Sequence, residues 1–303
     1  MDILYWFESI RVPGLNEFML LITRFGEETI FLIAAMTMLW CVDKRKSYYL
    51  LAVGFLGLIG NQVLKLSFRI PRPWVLDNNF TILEQAREAA TGYSFPSGHT
   101  QTAVGTFGSI AYTAKNRVVK YLCVAVCILV PISRMYLGVH TPLDVTVATA
   151  MAVLLVYFLR PVAGTKSEKL MPWVLAGMIA CAAAYWAFVE FFPFPADMDA
   201  HNYASGVSSA YKFLGAIVGF AAVYIVDEKW LHFEVKAVWW AQIIKVAIGF
   251  GLVLAVKSGL KTPLNAIMGE EIGAAVRYFL IVVVAGILWP LSFKFFKGLG
   301  KKE

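Results

Sequence analysis

The sequence predicts an all-α fold, a polytopic bundle of transmembrane helices preceded by amphipathic helices at the N-terminus. Hydrophobic residues make up 59% of the 303 residues and charged residues only 16%, and the mean hydropathy is +0.67. Several apolar runs reach the roughly 20 residues that a helix needs to cross a bilayer. Because a helix satisfies its own backbone hydrogen bonds inside lipid, this composition favours a helical membrane protein over a soluble domain.

About nine spanning helices are expected along the chain. Residues 1–28 are too charged to span, so they predict interfacial helices that lie on the membrane surface. The spanning candidates follow at about 29–43, 47–65, 99–115, 118–136, 142–160, 171–192, 207–226, 238–257 and 272–296. A linker at 164–167 then divides the chain, and the predicted parts are 1–28, a helical core at 29–163 and C-terminal helices at 170–303.

The basic residues predict the orientation in the membrane. They fall in short loops on one side, which the positive-inside rule makes cytoplasmic. These residues are Lys44, Arg45, Lys46, Lys115, Arg117, Lys120, Arg160, Lys166, Lys169, Lys229, Lys236, Lys294, Lys297, Lys301 and Lys302. The net charge of +7 is therefore explained by topology, and no nucleic-acid partner is expected. Residues 65–98 and the turn at 134–140 then face away from the cytosol.

The most informative stretch is residues 133–144, which places a guanidinium, an imidazole and a carboxylate in an apolar passage. Thr141 and Pro142 predict a helix start, so Asp144 lies one turn beyond His140 and within reach of its ring. A carboxylate there would orient the imidazole and leave the other ring nitrogen with a lone pair. Arg134 could supply charge for a phosphate. Taken alone, the stretch also allows an Arg134–Asp144 ion pair with His140 as a helix-end residue.

Two further polar clusters fall on the same predicted side of the membrane. Lys65 and Arg72 present two cations around a proline-constrained loop. Ser97, Gly98 and His99 stand where the next helix begins, and free backbone N–H groups there favour an anion. The three clusters together predict a phosphate cradle with two imidazoles, in which one histidine attacks phosphorus and the other protonates the leaving oxygen.

The three clusters, Lys65-x6-Arg72-Pro73, Pro96-Ser97-Gly98-His99 and Ser133-Arg134-x5-His140-x3-Asp144, resemble the signature motifs of the type 2 phosphatidic acid phosphatase (PAP2) superfamily. The resemblance implies that His140 is the nucleophile, oriented by Asp144, and that His99 is the general acid. It implies phosphate binding by Lys65, Arg72, Ser97, Gly98 and Arg134, and a reaction that needs no metal or other cofactor. The core at 29–163 would be the catalytic part.

The implied protein is a membrane lipid phosphatase. We expect hydrolysis of a lipid phosphate, or of a polyprenyl pyrophosphate such as undecaprenyl pyrophosphate, through a phosphohistidine on the extracytoplasmic face of a bacterial plasma membrane. The expected partners are that substrate and membrane lipids. A lipid phosphotransferase, a sugar-phosphate phosphatase and a non-enzymatic transporter or binding protein are the alternatives. The nine-helix architecture is also similar to glucose-6-phosphatase, whereas the apolar runs argue against the soluble haloperoxidases of the superfamily.

Other polar residues carry weaker signals. Glu190, Lys212 and Arg277 fall near the outer ends of three C-terminal helices and predict a structural ion cluster, with substrate recognition as the alternative. His201 is expected to be a solvated loop residue or a headgroup contact. Residues 80–90 have good helix formers, which predicts a surface or interfacial helix. Four cysteines fall inside apolar runs, outside any metal-ligand spacing, and are expected to be packing residues.

Overall fold

A computed structural model describes residues 1–88 and 90–297, and the described residues form helices and loops without a strand. The predicted all-α fold is confirmed. The helices are α1 (Asp2–Ser9), α2 (Pro13–Arg24), α3 (Glu28–Thr37), α4 (Lys44–Phe68), α5 (Pro73–Leu76), α6 (Gly98–Thr113), α7 (Arg117–Tyr136), α8 (Pro142–Leu159), α9 (Ser167–Phe191), α10 (Ala200–Val226), α11 (Trp239–Gly259), α12 (Lys261–Met268), α13 (Glu270–Val283) and α14 (Phe293–Lys297).

Within the described residues, seven helical stretches are long and apolar enough to cross a membrane. They are Lys44–Leu76, Arg117–Tyr136, Pro142–Ala163, Ser167–Phe191, Ala200–Leu231, Trp239–Met268 and Glu270–Phe296. An eighth span would consist of Pro13–Arg24 and Glu28–Val42 taken together. This pair is long and apolar enough to cross a membrane and is bent by 51°. The expected ninth span corresponds to α6, whose 16 residues are too few to qualify. The prediction of a polytopic helical membrane protein is confirmed.

The described chain folds as two compact units, and both are discontinuous in sequence. The three motif clusters lie in the first unit, which comprises Met1–Ala34, Tyr49–Pro161 and Phe194–Ser205. The second unit comprises Ala35–Tyr48, Val162–Pro193 and the residues from Gly206 onward. The predicted parts, with boundaries at 28, 163 and 170, are each continuous in sequence, unlike these units. They stay a prediction.

Helix α6 lies at the centre of the first unit, packed against α7 and α8. Its buried positions are mostly small or polar, which permits close helix packing. The N-terminal helices bury one face in the same unit: Phe7 and Met19 cluster with Tyr136, and Ile22 packs against Ala103. Whether α1 and α2 also lie on the membrane surface stays a prediction.

Residues 80–90 do not form the predicted helix, because tertiary contacts hold this segment in place. Within it the structure has one 3-10 turn, Glu84–Ala86, while Ala89 lies outside the described residues. The Leu83 amide donates to the Leu137 carbonyl at 3.2 Å, and the Arg11 guanidinium donates to the Thr81 carbonyl at 2.9 Å. These bonds, to the connection between α1 and α2 and to the residue that follows α7, take the place of helical hydrogen bonds.

The second unit is built around α11 and α13, which pack together. Its buried Asp227 accepts hydrogen bonds from Lys44 Nζ at 2.6 Å and from the Tyr48 hydroxyl at 3.0 Å. Lys245 is also buried, and its Nζ donates to the Val235 carbonyl at 3.0 Å. These polar groups are internal to the unit.

The weaker sequence signals in the C-terminal half have mixed outcomes. Glu190 accepts a hydrogen bond from the Tyr211 hydroxyl at 3.1 Å, whereas Arg277 is buried with Nε and Nη1 lacking a hydrogen-bond partner. The predicted ion cluster of Glu190, Lys212 and Arg277 therefore stays a prediction. His201 is exposed at the start of α10. Lys301 and Lys302, which support the predicted orientation, lie outside the described residues.

Candidate active site

The three motif clusters meet around one cavity of about 350 Å³ in the first unit. Six of the predicted site residues line it, namely Lys65, Arg72, Gly98, His99, Arg134 and His140. Helices α4, α6 and α7 supply four of them, and Arg72 and His140 come from the turns that follow α4 and α7. The other two predicted residues, Ser97 and Asp144, are buried. Residues far apart in the chain are therefore gathered at one place.

His140 is held between an arginine and a carboxylate. Arg72 Nη1 lies 2.9 Å from His140 Nε2, and His140 Nδ1 lies 3.3 Å from Asp144 Oδ2. A guanidinium can only donate, so Nε2 is the acceptor and carries the lone pair. The proton is then on Nδ1, which donates to Asp144. This tautomer leaves Nε2, the nitrogen beside the cavity cations, able to act as a nucleophile.

Asp144 is fixed by the local fold that the sequence predicts. Thr141 caps α8 and Pro142 occupies its first turn, and the Thr141 amide donates to Asp144 Oδ2 at 2.8 Å in a reciprocal capping box. Ser94 Oγ donates to the same oxygen at 2.5 Å. The Asp144 carbonyl accepts from the Ser97 amide at 3.1 Å, which ties the second motif to the third. Asp144 therefore orients His140, and the alternative ion pair with Arg134 is not the arrangement observed.

Arg134 is fully buried, at 0% exposure, yet only part of its guanidinium is bonded. Its Nη1 donates to Thr23 Oγ1 on α2 at 2.8 Å, while Nε and Nη2 are buried without a hydrogen-bond partner. Burying a charge with unused donors is costly unless a ligand satisfies them. The side chain lines the cavity, so those donors are suited to phosphate oxygens.

The two cations of the first motif organise the loop at 91–93. Arg72 donates from Nη2 to the Thr91 carbonyl at 2.6 Å and from Nε to the Gly92 carbonyl at 3.0 Å. Lys65 Nζ donates to the Tyr93 carbonyl. Arg72 also reaches the Val139 carbonyl at 2.9 Å, so it joins this loop to the turn that carries His140. Both cations thus position backbone as well as supply charge.

The second motif combines a helix cap with the other imidazole. Ser97 is the N-cap of α6, and its Oγ accepts from the Thr100 amide at 3.4 Å. The Ser97 side chain is therefore used by the fold, and its predicted phosphate contact stays a prediction. His99 lines the cavity one residue into α6. Gly26 packs directly on it, because a Cβ at position 26 would lie 2.7 Å from the His99 carbonyl oxygen.

Burial shifts the proton affinity of the candidate nucleophile. His140 lies in the turn between two candidate spans and is 1% exposed. Desolvation, followed by the charges of Arg72 and Arg134, holds the pKa of His140 well below its usual value. The imidazole is therefore neutral at neutral pH, as attack on phosphorus requires. In the described part of the chain, no group of three or more His, Cys, Asp and Glu side chains could hold a metal ion.

Sequence reasoning missed several residues of this cavity and its surroundings. Ser94, which holds Asp144, stands three residues before Ser97, so proximity to the motif was an available signal. Thr23, Glu27 and Asn202 lie far from the motifs in sequence. Local spacing contains no signal for such long-range contacts.

Comparison with known proteins identifies the family. The PAP2 superfamily model matches residues 45–168, and a second model, the transmembrane extension of PAP2 superfamily phosphatases, matches residues 211–302. The chain is 30% identical over 143 residues to the undecaprenyl-diphosphatase BcrC of Bacillus subtilis, covering 46% of this chain and 71% of that protein. The chain belongs to the PAP2 superfamily. The resemblance read from the three motifs is confirmed.

Other relatives have different substrates in their names. Phosphatidylglycerophosphatase B of Bacillus subtilis is 30% identical over 164 residues, or 50% of this chain and 76% of that protein. A probable sphingosine-1-phosphate phosphatase of Dictyostelium discoideum is 30% identical over 159 residues, or 48% of this chain and 38% of that protein. No solved structure matches. The predicted phosphate hydrolase and the integral membrane location are confirmed at the level of the family.

Proposed function

We propose that this PAP2 protein hydrolyses the phosphate of a membrane lipid through a phosphohistidine on His140. The observation that carries the proposal is the pair of contacts to His140: Nδ1 faces Asp144 Oδ2 at 3.3 Å, and Nε2 faces Arg72 at 2.9 Å beside the cavity. Lipid phosphates and polyprenyl diphosphates are both within this proposal, because the named relatives include enzymes of both kinds.

The first step transfers the phosphoryl group. Arg72 Nη1 releases Nε2 and turns to a phosphate oxygen, and the Nε2 lone pair attacks phosphorus. The bond between phosphorus and the leaving oxygen breaks with its electron pair on that oxygen, and His99 supplies the proton. Asp144 stabilises the positive charge that develops on the His140 ring. Lys65, Arg72 and Arg134, with the backbone at Ser97 and Gly98, hold the equatorial oxygens.

The second step regenerates the enzyme. Water attacks phosphorus, His99 accepts the water proton, and the phosphorus–nitrogen bond breaks with its electron pair returning to Nε2. Inorganic phosphate leaves, and His140 is again neutral. The proposed cycle needs only side chains of this protein, the substrate and water, so we expect chelators to leave turnover intact. We expect vanadate to inhibit, since it can adopt the five-coordinate geometry of the transition state.

Rapid quenching tests the nucleophile. Wild-type protein mixed with a 32P-labelled lipid phosphate should give an acid-labile, base-stable phosphoprotein, with the label on the peptide that contains His140. His140→Ala should give neither label nor turnover, and His232→Ala, which changes an exposed histidine outside the cavity, should behave as wild type. Label on His99, or a phosphoprotein in His140→Ala, would reverse the assignment.

A phosphotransferase would use the same intermediate, with an alcohol in place of water. The mouth of the cavity includes exposed residues such as Thr29 and Ser205, so an alcohol could enter there. Product analysis with and without added glycerol distinguishes the two reactions. We expect inorganic phosphate as the main product in both samples, and a phosphorylated acceptor would establish transfer.

We also propose that the cavity opens on the extracytoplasmic side of a bacterial plasma membrane. The basic loops support this orientation through the positive-inside rule. In a cysteine-free background, Asn78→Cys and Lys120→Cys place single thiols at exposed positions on opposite predicted sides. An impermeant thiol reagent added to intact cells should label position 78 and spare position 120. The reverse pattern would place the site in the cytosol.

A further inference from the structure

Two neutral polar side chains lie in the buried part of the cavity, besides the imidazoles. They are Asn61 and Thr102, at 3% and 7% exposure, whereas the other neutral polar side chains that line the described cavity are less buried. Asn61 stands on α4 one helical turn before Lys65, so the two side chains share one face of the helix. A neutral amide is thus placed next to a cation that the proposed function assigns to phosphate.

The amide of Asn61 has a defined orientation. Its Nδ2 donates to the Pro96 carbonyl at 3.3 Å, and a carbonyl oxygen can only accept, so the nitrogen must point there. Oδ1 lies next to the first residue of α6, because a Cβ built at Gly98 would be 3.7 Å from it. Gly98 and His99 both line the cavity. A hydrogen-bond acceptor is therefore held beside the second motif.

An acceptor at this place does not suit a phosphate. Ionised phosphate oxygens bind donors, and the Asn61 carbonyl oxygen has only lone pairs, so the two repel each other. The Thr102 hydroxyl differs, since it can donate as well as accept. A group that Asn61 Oδ1 can hold must itself donate a hydrogen bond. Water is such a donor, and the proposed reaction consumes water in its second step.

The second step needs two acceptors for the attacking water. A lone pair of the water oxygen must face phosphorus, so both hydrogens must point away from the phosphoryl group. His99 accepts the proton that is transferred, and a second acceptor is needed to fix the other hydrogen. Asn61 Oδ1 is a buried neutral acceptor beside Gly98, the residue that precedes His99.

We infer that Asn61 positions the water that attacks the phosphohistidine. The inference rests on the proposed function and adds a residue to its second step. The water oxygen bonds to phosphorus, one hydrogen moves to His99, and the phosphorus–nitrogen bond breaks with its electron pair on His140 Nε2. The other hydrogen, held by Asn61 Oδ1, stays on oxygen and leaves with the phosphate. In the first step Asn61 only holds the turn at Pro96.

Asn61→Leu tests the inference, because leucine has nearly the same shape and no acceptor. Wild-type protein in detergent micelles is given 32P-phosphatidate and farnesyl diphosphate labelled in its terminal phosphate, and the faster substrate is kept. Rapid quenching gives the rate of phosphohistidine formation, and a chase with unlabelled substrate gives the rate of its loss.

In Asn61→Leu we expect the loss of phosphohistidine to be slowed by about 10²-fold, because the water is no longer oriented. Its formation should slow by less than about fivefold, the effect of losing the bond to Pro96. Phosphohistidine should therefore accumulate at steady state. A purely structural role of Asn61 would slow both steps alike and would give no accumulation.

Gln101→Met is the matched control. Gln101 is also a buried amide, at 2% exposure, and it faces Gly57 of α4 without lining the cavity. Both of its rates should stay within about twofold of wild type. The same slow loss in Gln101→Met would show that any buried amide between these helices has this effect, which would overturn the inference.

Unchanged loss in Asn61→Leu, or an equal fall of both rates, would also overturn the inference and leave the proposed function standing. If Asn61→Leu does not fold, Asn61→Ala decides by the same two rates. Failure of the wild type to cleave either substrate, or to form phosphohistidine on His140, would instead refute the proposed function.

Discussion

Asp227 in the second unit and Arg134 in the first unit are both buried, but they differ in how completely they are hydrogen-bonded. In the second unit, Asp227 is 1% exposed and has close partners from two side chains and from the Phe233 amide at 3.2 Å. In the first unit, Arg134 is 0% exposed and has one bonded nitrogen, with two others unpaired. A buried charge is tolerated when its partners satisfy it. Asp227 is therefore satisfied within its unit, whereas Arg134 has buried donors that our proposed function assigns to the substrate phosphate.

Other buried charged side chains are also only partly hydrogen-bonded. One of them is Asp144 in the first unit. Asp144 Oδ2 accepts from Ser94, Thr141 and His140, whereas its Oδ1 is buried and unpaired. Arg277 in the second unit resembles Arg134, since two of its guanidinium nitrogens also lack a hydrogen-bond partner. Unsatisfied buried donors thus occur in both units. Among these groups, however, only Arg134 lines the described cavity.

The largest effect is expected from Arg134→Met, which keeps much of the volume and removes the charge. Loss of charge-assisted contacts to the transferring phosphate should lower kcat/KM by about 10²- to 10³-fold. The melting temperature in detergent should be unchanged or higher, because an incompletely bonded buried guanidinium disappears. Steady-state kinetics and thermal unfolding of the same preparation measure both. A variant that unfolds readily but keeps kcat/KM would show that Arg134 serves the fold.

Asp227→Asn should show the opposite pattern. Removing the carboxylate leaves Lys44 without its ionic partner, which should lower the free energy of unfolding by about 3 kcal/mol. The kcat/KM of the folded fraction should stay within about twofold of wild type, since Asp227 does not line the described cavity. Glu168→Gln is the matched control, because it breaks an exposed ion pair with Arg45 and should cost about 0–1 kcal/mol. Equal losses in the two variants would contradict the assignment.

How much the sequence predicts depends on the range of the interaction. The helix start at Thr141, the capping carboxylate and the position of His140 one turn earlier follow from local spacing, and the structure has this geometry. The helix predicted at 80–90 was wrong because bonds to Arg11 and Leu137, far away in sequence, override local propensity. Asn202 joins the cavity by the same kind of long-range contact, which a single sequence does not encode in any local pattern.

A smaller effect is expected from Ser94→Ala. The Ser94 hydroxyl donates to Asp144 Oδ2 at 2.5 Å and lies 3.4 Å from His140 Nδ1. This hydrogen bond positions the carboxylate and partly neutralises its negative charge. Its loss should lower kcat by about tenfold. Without this donor, Asp144 stabilises protonated His140 more strongly, so the lowered pKa of His140 should rise.

The pH profile separates this role from a structural one. His140 must be neutral to attack, so the acidic limb of kcat/KM should lie below pH 6.5 in wild-type protein and should move to higher pH in Ser94→Ala. Ser67→Ala, at an exposed serine that bonds its own helix, is the control and should leave the limb in place. A limb that moves to lower pH would contradict the proposed role of Ser94.

The smallest effect is expected from Thr23→Val, which is nearly isosteric and removes the hydroxyl that accepts from Arg134 Nη1 at 2.8 Å. In this variant Arg134 keeps its charge and its place in the cavity, but the hydrogen bond that orients its guanidinium is lost. A less ordered guanidinium binds the transition state less well, so kcat/KM should fall by about fivefold, the equivalent of about 1 kcal/mol. Thr23→Ser retains the hydroxyl and should recover most of that loss, even though it removes a methyl group. If Thr23→Ser is as impaired as Thr23→Val, packing of α2 matters and the hydrogen bond does not. In the double variant with Arg134→Met, Thr23→Val should cost nothing further in kcat/KM, because it acts only through the arginine.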